Sequence, residues 1–162
     1  MTVNALATDA SLAHLLPGAQ FADTFRIATG DADLTARQAA ERMFLNPPPW
    51  IDRLMRLRNA IVAPLGLKTP SHRKAIAANS IGPFPVIAET PQRVVAGFDD
   101  RHLDFRVIVD VAGSAPDRQV TATTLVKTHN LLGRAYLAVI MPFHNMIVPA
   151  MLRQIRDEPL AG

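Results

Sequence analysis

Between Phe84 and Thr128 the chain switches period, and this constrains its fold more than any other feature. FPVIAET, QRVVAGF, RHLDFRVIVDV and DRQVTATTLVKT read as four strands of period two joined by short turns. The segment that follows, LLGRAYLAVIMPFHNMIVPAMLRQIRDE, is apolar for most of its length. As one helix, residues 131–156 would span about 39 Å. An antiparallel sheet with one apolar face beside a long apolar helix is an α+β arrangement in which each element covers the other.

One register of the last two strands, turning at GSAPDR, matches both faces. It sets Asp104 opposite Lys127, Asp110 opposite Thr121 and His102 opposite His129. The other face then pairs Phe105 with Val126, Val109 with Ala122 and Val111 with Val120. A slip by one residue would mix the two sets, so this register is strongly preferred. His102, Asp104, Arg106 and Asp110 are therefore expected on a solvated outer face, with Leu103, Phe105, Val107 and Val109 turned toward the core. The alternative gives His102 and His129, with Asp99, Asp100 or Asp104, a metal or a proton to handle. No metal site and no cofactor is assigned.

Ahead of the sheet, residues 1–18 read as a loose arm and 19–158 as a single domain. AQFADTFRI alternates as a strand. Thr35 and Gln38 have the spacing of a capping box, with Leu34 and Ala39 as its staple, at the start of a helix over 36–45. Pro47, Pro48 and Pro49 launch a second helix, on which Trp50, Ile51, Leu54, Leu57, Ile61 and Leu65 form one apolar stripe ended by Gly66. Residues 67–83 show no clean period and suit a long loop or lid. In the closing helix Arg134, Asn145 and Arg156 drift only about 20° per step and make one narrow polar stripe. The remaining surface is expected to be covered by the sheet. Pro142 and Pro149 leave open whether this helix is kinked or broken in two.

Two charges break the pattern. Asp23 shares the face of Phe21, Phe25 and Ile27, and Arg58 lies within the stripe of the second helix. Inward charges require partners. They pair with each other, or Arg58 snorkels past the edge, or Arg58 receives an anionic or carbonyl group of a ligand. Trp50 reads as a packing anchor. Tyr136 lies on the apolar part of the last helix, where a buried hydroxyl needs a partner.

The whole chain sets wider bounds. Its 162 residues, 49% hydrophobic and 19% charged, make about one globular domain. It has no cysteine, which removes disulfides and thiolate chemistry and fits a reducing, cytoplasmic setting. A net charge of +3 is too small to indicate nucleic-acid binding. His144, Asn145 and two prolines interrupt the apolar segment, so it is read as a core helix and not a membrane span. The first residues lack the pattern of a signal peptide. No phosphate loop, GxSxG elbow or HExxH helix is present, and Ser11, Ser71, Ser80 and Ser114 have no recognisable base beside them.

The order of strand, two helices, antiparallel strands and long apolar helix resembles the helix-grip fold of the START-like, polyketide-cyclase-like (SRPBCC) superfamily. The segments PPPWIDRLMRLRNAIVAPLGLK, FDDRHLDFRV and KTHNLLGRAYLAVIMPFHNMIVPAML resemble an uncharacterised bacterial domain family grouped with those proteins, over roughly residues 20–156. The resemblance implies a curved sheet around the last helix with a cavity between them, and no activity that can be carried over. Five strands are legible where helix-grip proteins usually show six or seven. Either part of 67–83 joins the sheet, or the cavity is smaller and more open.

Three functions are compatible with this pattern. The first is a module that binds a small apolar or amphipathic molecule among Phe25, Leu103, Phe105, Val107, Tyr136 and Ile140, with Arg58 as polar anchor. The second is an enzyme using Asp23, Tyr136, His102 or His129 for general acid–base work. The third is a subunit that meets a partner, a second copy included, through its charged outer sheet face.

Overall fold

The computed structural model describes residues 2–30, 33–45, 47–65 and 79–157. Along them the chain forms β1 (Asn4–Leu6), β2 (Phe21–Gly30), α1 (Ala36–Leu45), α2 (Pro49–Val62), β3 (Ser80–Ile81), β4 (Phe84–Glu89), β5 (Arg93–Asp99), β6 (Leu103–Ala112), β7 (Arg118–Thr128) and α3 (Leu131–Asp157). The strands make one antiparallel, curved seven-stranded sheet in the order β1-β2-β7-β6-β5-β4-β3. The expected α+β class is thus observed, with a long C-terminal helix and two shorter helices after β2.

The register of β6 and β7 is the one read from the sequence: Asp104 faces Lys127, Phe105 faces Val126, Val109 faces Ala122 and Val111 faces Val120. The two strands missing from the sequence reading are short. Ser80–Ile81, from the end of the expected lid, pairs with β4. Asn4–Leu6, from the expected loose arm, pairs with β2. Residues 66–78, and with them Gly66, Ser71 and most of the lid, lie outside the described residues.

The inner face of the sheet carries Ile27, Val94, Ala96, Val107, Val109, Val120 and Ala122 against Met43 of α1, Ile51 of α2, and Met151, Leu152 and Ile155 of α3. α1 begins at the expected box. Thr35 Oγ1 accepts from the Gln38 N–H at 3.2 Å, and Gln38 Oε1 accepts from the Thr35 N–H at 2.9 Å. Two orphan donors are satisfied reciprocally. α1 is also pinned to the sheet margin, where Arg37 donates to Glu89 at 2.7 Å. That guanidinium holds the Glu89 carboxyl below its usual range.

The outer face departs from expectation. Val95, Ile108 and Leu125 are buried there under Leu16, Leu15 and Ala19. A short 3-10 helix, Ala10–Leu15, whose first turn is capped by Asp9, brings the N-terminal arm across the strands. The arm is therefore packed, and the face opposite Phe105 is a second small core. Two ion pairs flank this core: Arg93 with Asp110 at 2.5 Å, Arg106 with Asp99 at 2.8 Å.

The apolar stripe expected on α2 is also corrected. Ile51 is buried, but Leu57 and Ile61 are exposed and Trp50 is partly so. The inward face carries Ile51, Leu54, Met55, Arg58 and Asn59, so Ile51 and Leu54 of the expected stripe stay inward while the helix is rotated away from Leu57 and Ile61. α3 runs unbroken through Pro142 and Pro149. Its C-terminal turns are buried, while much of the rest is uncovered. The sheet does not enclose it.

Candidate functional site

The strand registers place one transverse row of large side chains across the inner face. Phe21 on β2 faces Val126 on β7, Val126 faces Phe105 on β6, and Phe105 faces Phe98 on β5. Phe84 from β4 closes the row, its ring 5.1 Å from that of Phe105 and 6.0 Å from that of Phe98. Two residues further along, the same face carries Asp23, Thr124, Val107 and Ala96, which are smaller. α3 crosses above, presenting Tyr136, Leu137, Ile140, Met141 and His144. The large rings below and the helix above do not fill the space between them. A cavity of about 110 Å³ remains, walled by these residues with Leu103 and Thr124.

Each end of the α3 face over the cavity carries a polar group. At the N-terminal end Arg58 Nε donates to the Tyr136 hydroxyl at 2.7 Å, and the guanidinium carbon lies 5.4 Å from the ring centroid. Arg58 Nη1 donates to Asn59 Oδ1 at 2.9 Å. Among the described residues Arg58 has no carboxylate in ion-pair range. Because the Tyr136 oxygen already accepts from Arg58, its own O–H is free to donate elsewhere.

Two helical turns on, His144 Nε2 lies 2.7 Å from Asp23 Oδ2, with the two side chains 16% and 17% exposed. Both Asp23 oxygens and His144 Nε2 are shut off from solvent, yet none completes an aligned hydrogen bond. The edge of Phe21 meets the imidazole at 6.0 Å and 87°. A close but misaligned acid–imidazole pair in a mostly apolar wall is under-satisfied, a condition concentrated at sites that do chemistry or receive a ligand.

The residues expected from sequence separate accordingly. Leu103, Phe105, Tyr136 and Ile140 line the cavity. Phe25 and Val107 share their face but pack into the main core further along the strands. Asp23 meets His144 and not Arg58. His102 and His129 adjoin through a backbone bond, His129 N–H to His102 O at 2.9 Å, but their rings turn to different partners. His129 meets Asp104 at 3.0 Å, and the buried His102 contacts the Asn130 side chain at 2.9 Å. No cluster of three metal-ligating side chains occurs among the described residues. His144 was missed by sequence reasoning, although the signal existed: stepping four residues from Tyr136 to Ile140, and four again, lands on it.

Sheet, crossing helix and a half-open pocket between them define a small α+β protein with an apolar cleft under its last helix. The chain matches the family model described as protein of unknown function (DUF2867) over residues 15–151, and it belongs to that family. No curated protein matches, and no solved structure does.

Proposed function

We propose that this protein binds a small amphipathic molecule in the cavity between sheet and α3, as the helix-grip arrangement suggests. The apolar body lies among Phe84, Phe98 and Phe105, and an anionic or carbonyl oxygen accepts from Tyr136 with Arg58 behind it. The observation that carries this reading is the aromatic-walled cavity lined by Tyr136, whose hydroxyl accepts from Arg58, an arginine with no carboxylate in ion-pair range among the described residues. Size limits the occupant. Drug-sized ligands fill roughly 300–1,000 Å³, whereas a cavity of about 150 Å³ holds benzene. A cavity of about 110 Å³ suits a single ring or a short alkyl chain.

Thermal unfolding with hexanoate, hexanol and hexylamine tests this reading. Hexanoate at about a hundredfold excess over its Kd is expected to raise Tm by roughly 5–10 °C, hexanol by less, and hexylamine by least. Tyr136→Phe and Arg58→Gln should erase the advantage of the acid over the alcohol. Absence of stabilisation by all three would overturn the reading.

The Asp23–His144 pair favours a second reading, in which the bound molecule also exchanges a proton with the imidazole. Butanone in deuterium oxide supplies the probe. Exchange of its α-hydrogens, followed by NMR, is expected to accelerate with the protein and to return to the background rate with His144→Gln.

A further inference from the structure

We propose that the outward face of α3, together with the adjoining surface of α2, docks on an anionic lipid bilayer. α3 is long and apolar enough to cross a membrane by length and composition, yet only 11% of its most apolar window is buried. The side away from the cavity presents Val139 at 69% exposure, Phe143 at 40% and Met146 at 60%. At about 100° per residue these three fall within a sector of roughly 60°. Ala135 and Pro142, also exposed, border the same sector. Scattered exposed apolar residues need no explanation, but a continuous stripe does. α2, tied to α3 by Arg58 and Tyr136, adds Leu57 and Ile61 close to that contact, both more than half exposed.

Charge selects the occupant. The exposed charged side chains described on the two helices are Arg53, Arg56, Arg134, Arg153 and Arg156, against Asp52 alone. A second copy would bring the same arginines and almost no acid to meet them. At about 100° per residue Arg153 borders the apolar sector of α3, about 45° from its centre, and Arg53 lies about 60° from the Leu57 and Ile61 side of α2. Anionic headgroups answer both, with each aliphatic stem lying along apolar surface and each guanidinium at phosphate level. Trp50, partly exposed at the start of α2, is a residue type favoured at that depth. The exposed stripe from Ala135 to Met146 runs about 17 Å along the helix, too short to cross a hydrocarbon core of about 30 Å. It therefore lies in the plane of the interface.

Co-sedimentation of the full chain with vesicles tests this. Binding is expected to vesicles of phosphatidylcholine with phosphatidylglycerol, not to phosphatidylcholine alone, and to weaken with added salt. Arg53→Gln and Arg153→Gln should each lower partitioning about fivefold. Val139→Asp combined with Met146→Asp should abolish it while leaving the thermal transition in place, because both side chains face solvent. Three outcomes overturn the proposal: no binding to either vesicle, equal binding to both, or a wild-type dimer that the double aspartate variant converts to monomer. The last would show that a second copy covers the face.

Discussion

Gly133→Ala is expected to destabilise the protein by about 3 kcal/mol or more, against the usual sign of such a change. Within a helix, alanine is ordinarily favoured over glycine by about 1 kcal/mol. Here a Cβ on Gly133 would stand 2.1 Å from the carbonyl oxygen of His102 and 3.0 Å from its carbon. These are backbone atoms, so no side-chain rotation relieves the overlap. The same oxygen accepts from the His129 N–H at 2.9 Å, which fixes it at the end of the β6–β7 ladder. Asn130 holds the helix from the other side, accepting from the Gly133 N–H at 2.9 Å while its amide contacts His102. Relief would require α3 to lift from the sheet, and overpacking of this kind exceeds the helical gain. Urea unfolding should show a lower midpoint at unchanged slope. A midpoint at or above wild type would mean that α3 is not seated on β6.

His144→Leu is expected to cost about 3 kcal/mol, although it replaces a polar residue in an apolar wall by a hydrophobic one. The added apolar burial is outweighed because Asp23, both of whose oxygens are hidden from solvent, loses the group that faces it at 2.7 Å. An orphaned buried charge is more expensive than the packing gained. The double variant Asp23→Leu with His144→Leu should recover much of the loss, since two apolar side chains leave nothing unsatisfied. A double-mutant cycle measures this coupling. Additive effects of the two single changes would show that the pair does not interact.

The sheet was largely legible because period two and cross-strand agreement constrain each other. Asp104 opposite Lys127 and Phe105 opposite Val126 could both be true in a single register, the one observed. The capping box at Thr35 was legible for a similar reason, its two bonds requiring a fixed spacing. β1 and β3 were not, because strands of three and two residues leave no period to detect. α2 misled: Leu57, Arg58 and Ile61 each fit a stripe, but Leu57 and Ile61 are exposed while Arg58 turns inward to Tyr136. Covering by the N-terminal arm is a long-range packing event that Leu12, Leu15 and Leu16 only hint at locally. Of the cavity, the strand contribution could be read from alternation. The matching of Asp23 to His144 required knowing where α3 crosses.

The two shortest strands carry a consequence for behaviour in a crowded solution. A long sheet margin with open N–H and C=O groups is a template on which other chains can add, and this is how fibrous aggregates grow. Among the described residues β5, β6 and β7 are flanked on both sides, while the marginal stubs β1 and β3 pair only with residues 24–26 of β2 and 84–85 of β4. The amino-terminal segment thus acts as a guard rail over the middle of β2 alone, shortening the stretch on which a neighbour could add strand by strand.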